Sequence, residues 1–215
     1  DFTSADIPKI LALEPDLVLT FSDLQADIAA DLIRAGITVV AYNQRDLAGI
    51  LAMIRHLGAT IGQAAKADSL ANQYEERLAQ VAANAEGKPR PLVYFEEWDD
   101  PMISGIKWVS ELVEMAGGRE AFPEHAQKGA ARDRIVSPDE VITAAPQVII
   151  ASWCGKKVRP EKIAARPGWD KIPAVRDGRI VEIKSPLILQ PGPAALTDGL
   201  DAILAALKHD QKVFT

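Results

Sequence analysis

The chain has 215 residues, a net charge of −6, and 48% hydrophobic and 25% charged side chains, the balance of one large globular domain or of two small α/β lobes. No basic run stands out, which argues against nucleic-acid binding, and no apolar stretch approaches the roughly 20 residues of a membrane span. The single cysteine, Cys154, excludes an intrachain disulfide and reads as a small buried residue beside Trp153, while His56, His125 and His209 are too scattered for a zinc-like spacing.

Helical and strand patterns alternate along the chain, which predicts an α/β fold with mainly parallel sheets. Residues 6–13 read as a short helix with Pro8 in its first turn. Residues 16–20 (DLVLT) read as a buried strand, and 24–35 as an amphipathic helix stopped by Gly36. A strand over 38–41 comes next, then a helix capped by Asp46 and running to about Leu57. Residues 63–86 contain neither proline nor glycine, and Leu70, Tyr74, Leu78, Val81 and Ala85 recur at helical spacing. A helix of that length spans roughly 35 Å, too long for a routine crossover, and reads as a rigid strut between lobes. GKPRP, residues 87–91, ends it.

The second half repeats the logic. Strands are expected over 91–95, 147–151 and 179–183, and helices over 108–116, 137–144 and 193–207, with Ser137 and Glu140 forming a capping box. IPKILALEPDLVLTF (7–21) resembles DEVITAAPQVIIASW (139–153): each is a helix, a proline, an apolar strand and a terminal aromatic. The expected division is an N-terminal lobe over 1–62, the long helix over 63–86 and a C-terminal lobe over 87–215.

Ligands of open parallel sheets bind beyond the carboxyl ends of the strands. Phe21, Tyr42, Glu97, Trp98 and Trp153 fall at predicted strand exits. The chain has four Trp, three Tyr and five Phe, so aromatics gathered there point to a large ligand with apolar faces. Trp108, opening its helix, is a further cleft candidate, whereas Trp169 in its Pro-Gly-Trp-Asp turn reads as structural. Glu96, Glu97, Asp99 and Asp100 surround Trp98 and read as a solvated acidic loop. Arg132, in Arg132-Asp133-Arg134, is a candidate for an anionic ligand edge. The sequence has no G-x-S-x-G, no glycine-rich phosphate loop, no H-E-x-x-H and no paired cysteines, so no catalytic residues and no enzyme activity are expected.

The long helix together with ILALEPDLVLTF, LIRAGITVV, SGIKWVSELVEMAGG, SPDEVITAAPQVII and GWDKIPAVRDGRIVEI resembles the class III periplasmic binding proteins, which serve ABC importers of vitamin B12, haem and iron–siderophores, and within them the cobalamin-binding branch most closely. The resemblance implies two α/β lobes joined by one rigid helix and a corrinoid, or another metal-chelate small molecule, clamped between them. Cobalt or iron would then belong to the ligand, with no cofactor and no metal site of the protein's own. It implies an ABC permease and its ATPase as partners, and a periplasmic or extracytoplasmic location with membrane attachment only through the permease or a lipid anchor. Phe21 matches the family's aromatic after the first Pro-Asp-Leu-Val strand, and Asp27 matches the acid that docks on the permease. In the second lobe Leu189 and Gln190 stand where the other docking acid is expected. Family members begin with additional strands before the position of Asp1, so a truncated N-terminal lobe, an exposed sheet edge and no signal sequence are expected here. Other expectations within the class are haem, with Tyr42 as the axial candidate, or a ferric siderophore. A tetrapyrrole chelatase is the enzyme alternative, although no histidine falls at a predicted strand exit.

Overall fold

The computed structural model describes residues 3–208, and His209 lies outside them. The fold is α/β with mainly parallel sheets, as the alternating pattern predicts. Two compact units are present, residues 1–44 and 45–215.

In the first unit, helix α1 (Ile7–Leu11) is capped by the Asp6 carboxylate, which accepts from the Lys9 amide at 3.1 Å. Strand β1 (Val18–Phe21), helix α2 (Ala26–Arg34) and strand β2 (Val39–Tyr42) come next. Gly36 closes α2 with φ of 84°, a left-handed conformation that glycine adopts without strain. β1 and β2 pair in parallel, with Val18 opposite Val39 and Phe21 opposite Tyr42. Among the described residues this sheet has two strands. Leu32 is fully buried in this unit, while Leu13, Leu24 and Ile33 stand exposed.

The second unit opens with helix α3 (Leu47–Thr60), capped by Asp46 at 2.8 Å from the Gly49 amide, and helix α4 (Ala64–Ala85). The expected long helix is therefore one continuous element. Its buried residues Ala67, Ala71 and Leu78 share a core with Leu47, Ile50, Leu51 and Ile54 of α3. That shared core joins α3 to α4 and the rest of the second unit, so the compact units divide at Gln44/Arg45 rather than at 62/63. Where the two helices pass each other, Gly58 makes the room: a Cβ there would lie 2.1 Å from the Ala67 Cβ. Gly58→Ala is expected to lose about 1–3 kcal/mol through overpacking, despite the better helix propensity of alanine. Urea unfolding checks this, and the swap Gly58→Ala/Ala67→Gly is expected to recover most of the loss.

The remaining elements are β3 (Leu92–Asp99), β4 (Met102–Ser104), α5 (Lys107–Met115), β5 (Arg119–Glu120), α6 (Pro123–Ala126), α7 (Pro138–Ala144), β6 (Val148–Ala151), α8 (Pro160–Ala164), α9 (Pro173–Arg176), β7 (Ile180–Glu182), α10 (Ser185–Ile188) and α11 (Leu200–Leu207). They build a five-stranded sheet in the order β4-β3-β6-β7, with β5 on β3. All pairs are parallel except β3–β4. Both faces are covered. Val93, Phe95, Val148 and Ile150 point into a core with α3, α4, α5 and α11, while Tyr94, Ile149 and Ala151 point into a second core with Val141, Ile163 and Trp169. The period-two alternation of strand side chains thus meets apolar partners on both sides, which explains the unbroken apolar run of β6.

The expected capping box of α7 is present: Ser137 Oγ accepts from the Glu140 amide at 3.3 Å, and Glu140 Oε2 accepts from the Ser137 amide at 2.7 Å. Two extents differ from expectation. β3 continues to Asp99, because β4 pairs antiparallel with it across Glu96–Ser104 and Asp99–Met102. The last helix does not run evenly from Pro193. Residues 195–199 form a wide π-turn before α11, where a Cβ on Gly199 would meet the Leu187 carbonyl at 2.5 Å.

Candidate functional site

The carboxyl ends of β3, β6 and β7 carry the chemistry of the second unit. Glu96, expected in a solvated loop, is instead a β3 residue with no exposure. Its carboxylate accepts two bonds from the Arg166 guanidinium, at 2.5 and 3.0 Å, one from Tyr94 Oη at 3.3 Å and one from Trp153 Nε1 at 3.2 Å. Arg166 in turn lies over the Trp169 ring, 4.5 Å from its centre. A buried carboxylate is tolerated because it is paired and hydrogen-bonded on all sides. The same burial, with Glu96 alongside, pushes the Tyr94 hydroxyl well above the ordinary tyrosine range.

Trp153, 4% exposed at the margin of the second core, is thereby anchored by Glu96. Lys156 Nζ lies 5.1 Å from the Trp153 ring centre and 5.4 Å from that of Trp98, and it pairs with Asp99 Oδ2 at 2.5 Å. One ammonium therefore sits against two indole faces with a carboxylate beside it, a cation–π arrangement that holds both rings. Trp98 is half-buried, and its Nε1 donates to the Asp100 carbonyl at 2.9 Å. Two neighbouring cavities of about 310 and 320 Å³ open here and share Trp153, Lys156 and Lys157. Arg159 and Lys162 complete the first, and Glu182 and Lys184 line the second.

Several sequence expectations need correction. Glu97 is committed to the buried Arg134, at 2.6 and 3.0 Å, and Arg134 also donates to the Ser104 carbonyl, so Glu97 serves the β3–β4 corner rather than a ligand. Trp108 is 3% exposed and donates from Nε1 to the Ile188 carbonyl at 2.9 Å, which makes it a core residue between α5 and α10. Arg132 is fully outside this cavity pair and faces solvent, with Asp133 at 3.9 Å. Cys154 is exposed rather than buried. Trp169 is buried, as its turn implied.

In the first unit Phe21 and Tyr42 end adjacent parallel strands and stand side by side in register, both partly buried. Burial raises the Tyr42 hydroxyl above its ordinary value. Asp27 lies in the first turn of α2 and is exposed. Sequence reading missed the cations after Trp153. The run KKVRPEK, residues 156–162, was the available signal, since it comes directly after a strand exit. Among the described residues, no grouping of three or more His, Cys, Asp or Glu side chains is disposed to hold a metal ion.

A family model described as periplasmic binding protein matches residues 1–187. The chain belongs to that family. Similar to this periplasmic binding protein is an uncharacterised ABC transporter substrate-binding lipoprotein from Bacillus subtilis (strain 168), 24% identical over 96% of this chain and 66% of its own length. A vitamin B12-binding protein from Vibrio campbellii is 25% identical over 71% of this chain and 55% of its own. Among solved structures, a periplasmic haem-binding protein from Roseiflexus sp. RS-1 superposes with a TM-score of 0.76 at 24% identity, covering 93% of this chain and 79% of that one. The chain thus spans between about half and two-thirds of the length of these two curated relatives. The members of the family are solute-binding proteins, and the relatives agree with the class III resemblance carried by the sequence motifs.

Proposed function

We propose that this chain is the extracytoplasmic substrate-binding component of an ABC importer and that it holds a bulky metal chelate, a cobalamin-like corrinoid, at the carboxyl ends of its strands. The observation that carries the reading is the Trp98–Lys156–Trp153 arrangement, whose Lys156 and Trp153 line two adjoining cavities. Flat apolar faces held rigidly at strand exits suit a large ring-shaped solute. The choice of a corrinoid draws on the vitamin B12-binding relative, and a haem or ferric siderophore is the second reading, supported by the likeness to a haem-binding structure. Phe21 and Tyr42 offer a comparable aromatic pair in the first unit. Asp27, exposed on α2, is the proposed contact with the permease, and the ligand's release is coupled to the importer's ATPase. The second docking contact lacks its expected acid, since Leu189 and Gln190 occupy those positions.

The test is calorimetric titration with cyanocobalamin, haemin and ferric siderophores, with the ligand recovered unchanged. Trp153→Ala and Trp98→Ala are each expected to weaken binding about tenfold or more, the loss typical of a buried aromatic anchor. Unchanged affinity in both variants would remove these rings from the site, and absence of binding by all of the chelates would remove the proposed function.

A further inference from the structure

Opposite to the strand exits that carry Trp98 and Trp153, at the amino ends of β3 and β5, another cavity of about 310 Å³ opens on the second unit. The segment leading from α4 into β3 lines it, and α5 and α11 end beside it. Val81 and Ala85 of α4 and Leu204 and Leu207 of α11 give it apolar walls. Its charged lining residues are Lys88 and Lys208, both exposed, and no carboxylate joins them. Neither ammonium is in an ion pair among the described residues, although the chain carries a net charge of −6. Helix ends favour cations, but the last carbonyls of these helices are taken within the chain. Val113 and Glu114 accept from the Gly118 and Gly117 amides, Ala85 from the Lys88 amide, and Ala206 and Leu207 from the Arg179 guanidinium.

We propose that this groove is a second small-molecule site, for a medium-chain carboxylate: the alkyl tail lies along the apolar walls, and the carboxylate meets Lys88 and Lys208. The pairing of apolar walls with unpaired cations is complementary to such a molecule in both polarity and sign of charge. Size sets the tail length. At roughly 30 Å³ for each water-sized group the space holds about ten heavy atoms, which is the size of octanoate. A corrinoid or haem is several times too large, so the site is separate from the carboxyl-end cavities and does not rest on the function proposed for them.

The experiment is calorimetric titration of the full chain with butyrate, hexanoate, octanoate and decanoate, and with octan-1-ol as the uncharged match, all below micelle-forming concentrations. Each added methylene is expected to tighten binding about two- to fourfold as far as octanoate or decanoate, because it leaves water for the apolar walls. Octanol is expected to bind about fivefold more weakly than octanoate, a difference that narrows as salt rises, as befits exposed charges. Lys88→Gln/Lys208→Gln is expected to erase that difference while leaving octanol within about twofold. Asn84→Trp places a bulky ring from an exposed position of α4 that lines the groove, and it is expected to weaken octanoate about tenfold or more with the urea midpoint unchanged. Affinity that ignores chain length, or octanoate binding that survives in Asn84→Trp, overturns the proposal. Octanoate binding only after removal of residues 209–215 overturns it in favour of the chain's own tail as occupant, and self-association of the full chain that Asn84→Trp abolishes overturns it in favour of a second copy.

Discussion

Glu96→Ala is expected to destabilise the second unit by roughly 3–5 kcal/mol, the cost of removing one partner from a buried ion pair. The carboxylate is fully buried and serves Arg166, Tyr94 and Trp153 together. Its removal leaves a guanidinium that is only 19% exposed, with its charge uncompensated over the Trp169 ring. The measurement is urea unfolding, read with tryptophan fluorescence, since the Trp153 indole loses its acceptor at the same time. The double variant Glu96→Leu/Arg166→Met is expected to recover a large part of the loss, because well-packed apolar residues replace a buried ion pair at little net cost. A loss below about 1 kcal/mol for Glu96→Ala would show that water reaches Arg166 freely and that the network does not hold the Trp153 wall.

Under the proposed function, Trp153 is positioned before any ligand arrives. Its Nε1 is fixed by Glu96 and its face by Lys156. Under that reading, a ring held in this way loses little freedom on binding, which lowers the cost of association. The neighbouring Glu97–Arg134 pair does the same for the β3–β4 corner, so the acidic stretch 96–99 is a set of three ion pairs, Glu96–Arg166, Glu97–Arg134 and Asp99–Lys156.

Those pairs mark where sequence reading reaches its limit. Local signals were legible: the Asp46 cap, the Ser137–Glu140 capping box, Gly36 behind α2 and the uninterrupted α4 each depend on residues within a few positions. The apolar run of β6 declared a buried strand, but that of β1 misled, since Leu19 stands 45% exposed and Val18 and Phe21 are only partly buried; the aromatics Phe21, Trp98 and Trp153 were rightly placed at or near strand ends. The run EEWDD, in contrast, is polar enough to pass for a loop. Its burial depends on Arg166, which is 70 positions away, and Arg134, which is 37 from Glu97. No local rule links partners at such separations. Trp108 was ambiguous for a related reason: only the Ile188 carbonyl, 80 positions on, decides which way its indole faces. The cations of KKVRPEK were visible but dispersed, and they become a patch only when the turn after β6 and the start of α8 fold around one cavity.

Glu120→Gln is expected to stabilise the chain at alkaline pH and to leave it almost unchanged at acid pH. Glu120 lies on β5 with 3% exposure, and burial pushes its carboxyl up to about 7 from an ordinary 4.5, against the opposing pull of the Phe122 and Ala121 amides and the Ser110 hydroxyl. Nearby Glu114 adds to the rise and is itself paired with Arg90. Since the folded value lies above the unfolded one, the proton favours the folded state. Its contribution is complete below about 4.5 and is lost as pH rises through about 7. At about 1.4 kcal/mol for each pH unit of the interval, the loss comes to about 3 kcal/mol above neutrality. Glutamine keeps an acceptor for the Phe122 amide at 3.3 Å and carries no charge to desolvate. Urea midpoints of both proteins at pH 5, 6, 7 and 8 provide the measurement. The gap is expected to be smallest at pH 5, where about 1 kcal/mol of the contribution is already lost, and to widen toward pH 8 with glutamine the more stable; a gap that does not change with pH would mean that Glu120 keeps its charge in the folded chain, its burial offset by water.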